Sequence, residues 1–293
     1  MRKLLLLILV LSLLNCKSKN EKPPQDINVL FIGNSLTYYN DMPQMLQKMV
    51  HETNPDIVID QITFPGMSIS DHMDKIIESH SGNNLRTRSK KPGEITETEK
   101  KIKEKDWDII ILQTGGVSVL IPESVEYKIN PAIQRIKTLA GSKTSYILFN
   151  TWATSEDFPR EYCYRGFQIA PSLERMKEYC SASIENEKDY LSKLNDSYKS
   201  IAENNVLEKT DHGVIFQKVF NNHPELEILE DEMHPSKLGA FLSAGIFYEK
   251  ITRKDVSTFN YTGDLAPEKV ELLKNIIKRN NSTPIKRGKN TLK

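Results

Sequence analysis

The chain has 293 residues, and its 40 lysine and arginine residues nearly balance its 39 aspartate and glutamate residues, for a formal net charge of +1. This balance leaves no excess of positive charge for binding a polyanion, so composition implies no nucleic-acid partner. The length suits one α/β domain of ordinary size, and no internal repeat is visible.

Residues 1–15 have the pattern of a secretory signal peptide, with a basic head and an apolar run over residues 4–14 that is too short to span a bilayer as a mature helix. The run ends in Leu13-Leu-Asn-Cys16, which resembles a bacterial lipobox. We therefore expect cleavage before Cys16, lipidation of Cys16, and a polar linker over residues 16–26. The protein would then be an exported lipoprotein, anchored at the periplasmic face or the cell surface. The alternative is an ordinary secretory signal with an incidental cysteine.

The first candidate nucleophile lies where a buried strand turns into a helix. Residues 28–32 predict a short apolar β-strand, and Gly33-Asn34 predicts the sharp turn that ends it. A pattern typical of one helix face follows over residues 42–50. Ser35 is thereby placed at the carboxyl end of a strand, where open α/β sheets bind their ligands.

A second motif lies near the C-terminus, where Asp231 and His234 are three residues apart, before an apolar helical run. At this spacing the carboxylate can hydrogen-bond back to the imidazole, orient it and stabilise its charged form. The histidine can then remove the proton from a serine. Glu230 and Glu232 flank Asp231, but the spacing favours Asp231.

Both motifs resemble signature blocks of one family, the GDSL or SGNH hydrolase superfamily. Phe31-Ile-Gly-Asn-Ser-Leu-Thr37 resembles its first block, with Asn34 where many members carry Asp, and Asp231-Glu-Met-His-Pro235 resembles its last block. The resemblance covers about residues 27–252. It implies an α/β fold, namely a three-layer α/β/α sandwich with a central, mostly parallel five-stranded sheet of flavodoxin-like type.

The resemblance also implies the groups that hold the oxyanion. In the family these are the backbone N–H of the nucleophile, a glycine after the second strand and an Asn side chain after the third. The first two positions match Ser35 and Gly66, although a plain turn glycine explains Gly66 as well. The predicted strand 107–112 ends in Gln113-Thr-Gly-Gly116, where the family commonly has Gly-x-Asn-Asp. Gln113 has the amide chemistry to replace that Asn, and this is the main departure from the family pattern.

Three further residues are candidates for the substrate pocket. Asn34 adjoins the candidate nucleophile, Trp152 follows a predicted strand over residues 145–149, and His72 lies on a predicted helix over residues 70–78. Indole rings often line sugar-binding pockets, yet a Trp packed in the core is at least as common. A single His on a helix is more often structural than catalytic.

Two cysteines remain if Cys16 takes the lipid. Cys163 and Cys180 form an even pair in an exported chain, which favours a disulfide over two buried thiols. Their spacing does not resemble a metal site, and neither Cys-x-x-Cys nor His-Glu-x-x-His occurs. We therefore expect no metal and no organic cofactor.

The remaining segments give only coarse predictions of secondary structure. Residues 81–100 predict a solvated loop, with a lid over an acidic substrate as the alternative. Residues 172–204 predict one or two charged surface helices, and residues 214–220 either a helix or a last strand. Residues 253–293 are expected to form a surface segment with a helix, over residues 266–278, and a basic, disordered tail.

Together these features favour a serine esterase. Ser35 would attack the ester carbonyl with His234 as base and Asp231 as its orienting group, and water would then release the acid from the acyl-enzyme. Ser68 and Ser118 are rival nucleophiles by residue type alone. The resemblance implies small acyl groups such as acetyl, with carbohydrate as the alcohol part, and acyl transfer would use the same residues. The alternative from another class is a non-catalytic surface lipoprotein of this fold that binds a glycan or a protein partner.

Overall fold

A parallel five-stranded sheet lies at the centre of the protein, whose computed structural model describes residues 26–154 and 157–281. The strands are β1 (Ile27–Gly33), β2 (Ile57–Thr63), β3 (Ile109–Leu112), β4 (Ser145–Leu148) and β5 (Glu208–Lys209). Their spatial order is β2-β1-β3-β4-β5, and all neighbouring pairs are parallel. The expected five-stranded sheet is confirmed. Residues 214–220, which the sequence left open, are helical and not its last strand.

Helices cover both faces of the sheet, which gives the expected three layers. In chain order they are α1 (Ser35–Tyr38), α2 (Met42–His51), α3 (Ile69–Asp74), α4 (Glu97–Lys103), α5 (Gly116–Leu120), α6 (Asn130–Ala140), α7 (Glu187–Asn205), α8 (His212–Asn222), α9 (Lys237–Thr252) and α10 (Pro267–Asn281). Shorter helical turns lie at Tyr39–Asp41, Pro122–Ser124, Val125–Ile129, Gly166–Ile169, Pro224–Leu226 and Val256–Thr258.

Alternate residues of β1 point into two separate cores. Phe31 packs edge-on against Phe247 of α9, with 5.0 Å between ring centroids. Leu30 and Ile32 point the other way, into a core that α3 to α7 cover. Because both faces of the strand are buried, it is apolar without alternation, which is why the sequence pattern identified it.

The C-terminal helix belongs to the first of these cores. Val270, Leu273 and Ile277 of α10 are buried together with the apolar residues of α9. The helix predicted over residues 266–278 is present, but it is a packed element, and the core extends beyond residue 252.

The segment after α3 differs from the prediction. α3 ends at Asp74, and residues Lys75–Ser81 form a strand that pairs antiparallel with Asn84–Ser89. The helix expected over residues 70–78 and the loop expected over residues 81–100 are therefore wrong in part. Two basic side chains in this segment have acidic partners within the chain, since Arg88 Nη1 lies 2.6 Å from Glu94 Oε2 and Lys90 Nζ lies 2.5 Å from Glu99 Oε2. These contacts favour folded structure over an open, positively charged lid.

A second excursion carries the cysteines. Cys163–Arg165 pairs antiparallel with Glu178–Cys180, and a disulfide joins Cys163 to Cys180, the pairing that the sequence favoured. The helical stretch expected over residues 172–204 therefore begins only at α7.

The predictions for the signal peptide, for lipidation of Cys16 and for the basic tail concern residues outside the described ranges. Inside those ranges, no helix combines the length and the apolar character that crossing a membrane requires.

Candidate active site

The turn after β1 brings Ser35 to the carboxyl edge of the sheet, where it is the first residue of α1. Asn34 caps this helix, because its Oδ1 accepts the Leu36 N–H at 3.1 Å. Its Nδ2 donates to the Met67 carbonyl at 3.1 Å. Asn34 is buried, so the expectation that it lines the pocket is corrected. Its side chain fixes the turn that presents the serine.

Gln113 supports the same turn from the end of β3. Its Oε1 accepts the Asn34 N–H at 2.7 Å and the Thr37 hydroxyl at 3.3 Å. A Cβ on Gly33 would lie 2.5 Å from the Thr37 Oγ1 and 2.7 Å from this oxygen, so a side chain at residue 33 would displace both hydrogen-bonding groups. The Gln113 Nε2 is buried and has no hydrogen-bond partner among the described residues. An unsatisfied buried donor costs about 1–3 kcal/mol, which suggests that this amide has a functional role.

Asp231 and His234 meet Ser35 although they lie far away in sequence. The His234 Nε2 is 2.9 Å from the Ser35 Oγ, and its Nδ1 is 2.7 Å from the Asp231 Oδ2. The other carboxylate oxygen, Oδ1, accepts the N–H groups of Met233 at 2.8 Å and His234 at 2.6 Å. The carboxylate therefore folds its own loop and contacts the imidazole at the same time.

These contacts also keep the carboxylate ionised. The backbone N–H of His234, then its side chain, then the N–H of Met233 lower the pKa of Asp231 to about 2. A negative charge beside Nδ1 favours the His234 tautomer with its proton on Nδ1. The Nε2 atom is then the acceptor for the Ser35 hydroxyl.

Trp152 lies behind the loop of residues 230–235, which carries Asp231 and His234 and is called the catalytic loop below, and not in the pocket. Only 4% of the residue is exposed, and its ring stacks on Phe216 with 4.0 Å between centroids. Its Nε1 donates to the Met233 carbonyl at 3.1 Å. The expectation that Trp152 contacts substrate is therefore corrected, since this residue anchors the loop that carries His234.

His72 is a structural residue of the core, which is the more common role for a single His on a helix. It is fully buried, its Nε2 lies 2.8 Å from the Gly33 carbonyl, and its Nδ1 lies 2.7 Å from the Thr98 Oγ1. With both nitrogens occupied, it cannot serve as a ligand for substrate in the pocket.

The buried histidines make the fold sensitive to acid. Burial lowers the pKa of His72 to about 4 and that of His212 to about 3, from an ordinary value of 6.5. Between each folded-state pKa and 6.5, the unfolded chain binds more protons than the folded one. The stability that depends on the neutral histidines is therefore fully present above pH 6.5 and is lost as pH decreases. We expect each histidine to lower the free energy of unfolding by about 2 kcal/mol between pH 7 and pH 5, measured by urea unfolding. A His212→Gln variant that folds should lose its share of this pH dependence, and an unchanged dependence would contradict the assignment.

The backbone N–H groups of Ser35 and Gly66, the oxyanion donors that the family resemblance implies, lie in the turns that follow the neighbouring strands β1 and β2. The Ser35 N–H opens α1, where an N–H has no acceptor within its own helix. Gly66 follows Pro65 in the turn closed by the Met67 N–H and the Phe64 carbonyl at 3.3 Å. Its φ of +65° suits glycine, and the residue is exposed. Neighbouring donors of this kind can stabilise a developing negative charge.

A cavity of about 400 Å³ opens beside these groups. Leu36, Gly66 and Met233 line one part of it, and Leu36 and Met233 are the chain neighbours of Ser35 and His234. Hydroxyl, carboxylate, ammonium and amide side chains contribute its polar lining, namely those of Ser68, Ser70, Ser118, Ser124, Tyr164, Asp71, Lys128 and Gln168. The disulfide-bearing excursion thus forms one wall of the candidate pocket.

The rival serines line this cavity without a histidine. Ser68 Oγ donates to Asp71 Oδ2 at 2.6 Å, and Ser118 Oγ donates to the Gly115 carbonyl at 2.8 Å. Their hydroxyls act in local capping, so the geometry favours Ser35 as the nucleophile.

A single cluster of potential metal ligands occurs in the described part of the chain, and it combines Glu161 with Cys163 and Cys180. Because the two sulfurs are joined in a disulfide, this cluster offers no thiolate to a metal ion.

Two residues next to the catalytic loop, Tyr39 and Asn40, are not predicted by the sequence motifs. The Tyr39 ring stacks on the His234 imidazole, with 4.0 Å between centroids and 12° between planes. The Asn40 amide donates to Glu230 and to the Pro235 carbonyl. Asn40 and Asp41 both tolerate left-handed backbone, which is consistent with an unusual turn before α2. The sequence does not show which distant residues Tyr39 and Asn40 contact.

Comparison with known proteins places the fold. No family model and no curated protein sequence matches the chain. Among solved structures, a DUF4886 family protein from Bacteroides uniformis aligns with a TM-score of 0.63 at 16% identity, over 87% of this chain and 94% of that protein. A candidate SGNH hydrolase from Slackia heliotrinireducens aligns with a TM-score of 0.50 at 15% identity, over 77% and 98% of the two chains. The chain therefore has the fold of the SGNH hydrolases, as the two signature blocks implied.

Proposed function

We propose that this protein is a serine ester hydrolase of the SGNH type. The observation that carries the proposal is the chain of hydrogen bonds from Asp231 through His234 to Ser35, at 2.7 and 2.9 Å. This arrangement supplies a nucleophile, a base and a group that orients the base, and it lies at the carboxyl edge of a parallel sheet. Fold alone would not support the activity, because one fold hosts many functions.

In the proposed mechanism Ser35 Oγ attacks the ester carbonyl carbon while His234 Nε2 takes the hydroxyl proton. The imidazolium that forms faces the Asp231 carboxylate, which stabilises its charge. Collapse of the tetrahedral intermediate breaks the bond to the alcohol oxygen, which leaves with the proton from Nε2. Water then attacks the acyl-enzyme with the same histidine as base, and the acid is released as Ser35 regains its proton.

The negative oxygen of the intermediate would be stabilised by the N–H groups of Ser35 and Gly66 and by the Nε2 of Gln113. Gln113 is assigned as the third donor from its position directly after β3, and its buried Nε2 would have to become accessible when substrate binds. One such donor is typically worth about 3–4 kcal/mol in the transition state.

The cavity supports a hydroxyl-rich alcohol such as a sugar, while the small acyl group is what the family resemblance implies. Asp71 offers acceptors, while Lys128 and Gln168 offer donors, and hydroxyl groups can use both. Met233 lines the cavity and directly precedes His234, the residue that protonates the departing alcohol oxygen. We therefore assign the cavity to the alcohol part of the substrate.

The disulfide supports an oxidising compartment and so the proposed export, while the proposed lipid anchor at Cys16 rests on the lipobox-like Leu13-Leu-Asn-Cys16. Fatty-acid incorporation that is lost in Cys16→Ser would support the anchor, and incorporation that persists would refute it.

A substrate series tests the function, using a soluble form that begins at Glu21. Acetyl esters should be hydrolysed with a kcat/KM about tenfold or more above that for octanoyl esters, and acetylated oligosaccharides should be better substrates than ethyl acetate. Ser35→Ala should abolish all of these activities. Folded wild-type protein that turns over no ester would refute the hydrolase and favour a binding lipoprotein.

A further inference from the structure

Asn40 joins the segment that carries the nucleophile to the loop that carries the acid–base pair. Its Nδ2 donates to Glu230 Oε2 at 2.9 Å and to the Pro235 carbonyl at 2.9 Å. These acceptors lie immediately before Asp231 and immediately after His234. One amide group therefore holds both ends of the catalytic loop, shortly after Ser35 in the chain.

The backbone around Asn40 has an uncommon conformation. Asn40 and Asp41 have φ values of +51° and +55°, so two consecutive residues other than glycine are left-handed. Asparagine and aspartate tolerate this region better than other side chains do, but it still carries strain. Such conformations persist where surrounding contacts enforce them, and they are concentrated at functional sites. Here the turn directs the Asn40 amide to the catalytic loop.

Tyr39 acts on the same loop from the face of the imidazole. The two rings are nearly parallel, with 4.0 Å between their centroids, so rotation of the His234 ring out of this plane would cost the stacking contact. The face of a tyrosine ring also attracts a cation placed over it, such as the imidazolium that forms during the reaction.

The catalytic loop needs these contacts because it is otherwise open to solvent. Asp231, Glu232 and Met233 are exposed, and the loop has no helix of its own before α9. Within the loop, the Glu230 N–H donates to the His234 carbonyl at 3.0 Å, and the Trp152 indole holds it from behind. None of these contacts fixes the distance from the loop to the nucleophile segment.

We propose that Asn40 and Tyr39 are positioning residues, with Asn40 setting the distance between His234 and Ser35 and Tyr39 setting the tilt of the imidazole. The proposal rests on the proposed function, since it assumes that these two groups react together. A displacement of about 1 Å in such a pair can cost on the order of a hundredfold in rate, so a single surface amide can have a large effect.

Asn40→Gly is the sharpest test, because glycine adopts the left-handed backbone freely and lacks only the amide. With p-nitrophenyl acetate, we expect kcat to fall about 10- to 100-fold, with KM changed by less than about threefold. The rate of labelling by a fluorophosphonate should fall in parallel, and the thermal midpoint should stay close to that of wild type. Val206→Gly is the matched control, since Val206 is also left-handed but 84% exposed at the end of α7.

Introducing a negative charge at residue 40 gives an independent readout. Asn40→Asp places a carboxylate against the Glu230 carboxylate and should reduce kcat at least as much as Asn40→Gly. Adding Glu230→Gln supplies an amide donor from the other side, so the N40D/E230Q double variant should recover part of the loss. In the same way, Tyr39→Phe should restore most of the activity that Tyr39→Ala loses.

Unaltered kcat in Asn40→Gly would overturn the proposal, as would a loss of activity fully matched by a lower thermal midpoint. Absence of rescue in N40D/E230Q would also count against it. Failure of the proposed function looks different, because wild-type protein itself would then neither turn over ester nor accept the label.

Discussion

Asp231→Asn should lower kcat by about three to four orders of magnitude without unfolding the protein. Asparagine keeps the Oδ1 oxygen that accepts the N–H groups of Met233 and His234, so the catalytic loop should retain its shape. At the other position an amide replaces the ionised Oδ2 that lies 2.7 Å from His234 Nδ1. An amide N–H favours the opposite tautomer, with the proton on Nε2, where it blocks acceptance of the Ser35 proton.

Glu232→Gln is the matched control for this prediction. It removes the same charge from the next residue of the loop, and Glu232 is exposed. Circular dichroism and kcat for p-nitrophenyl acetate should be measured for both variants. If Asp231→Asn and Glu232→Gln were equally active, the carboxylate would not be orienting the histidine, and this part of the mechanism would be wrong.

Gly239→Ala should damage stability and catalysis together. A Cβ on Gly239, in the first turn of α9, would lie 2.0 Å from the Ile228 carbonyl oxygen and 3.1 Å from the Pro235 Cβ. A backbone oxygen cannot retreat as the end of a side chain can, so the loop between these residues must move, and His234 moves with it. We expect a loss of about 1–3 kcal/mol in the free energy of unfolding and a fall in kcat of about a hundredfold.

Gly245→Ala in the same helix separates the two effects. Its Cβ would approach the Ile277 Cδ1 to 2.6 Å, which is the flexible end of a side chain far from the catalytic loop. Urea unfolding should show some destabilisation, while kcat should stay close to that of wild type. A Gly239→Ala variant with normal kcat would show that the loop does not depend on this close approach.

Local patterns predicted the parts of the site that local chemistry determines. The apolar strand, the Gly33-Asn34 turn and the helix that follows are encoded within a few residues of Ser35. The spacing of Asp231 and His234 lets one loop fold on itself, and the structure places them within hydrogen-bond distance of each other. In both cases the deciding interactions connect residues that are close in sequence.

The hairpin over residues 75–89 escaped prediction for a physical reason. Its strands expose polar side chains on both faces, so neither the helical nor the alternating apolar period is clear. Ion pairs such as Arg88–Glu94 contribute to its shape, and composition alone suggested only a charged loop. The charges were visible in the sequence, whereas their pairing was not.

Long-range contacts account for the other differences. Trp152 follows the carboxyl end of β4, where pocket residues are expected. Its indole instead donates to the carbonyl of Met233, 81 residues away. Asn40 meets Glu230 across 190 residues. These contacts depend on how distant segments pack, as α9 does against α2 and against Phe31 of β1, so no single local stretch of sequence could have identified either role.

The central claim is that Ser35 is a nucleophile activated by His234, and covalent labelling tests it most directly. The form that begins at Glu21 should be treated with a fluorophosphonate and analysed by intact mass and peptide mapping. We predict one adduct per chain, located on Ser35, absent in Ser35→Ala and formed far more slowly in His234→Ala. A folded wild-type protein that takes no label, or takes it on Ser68 or Ser118, would contradict the assignment.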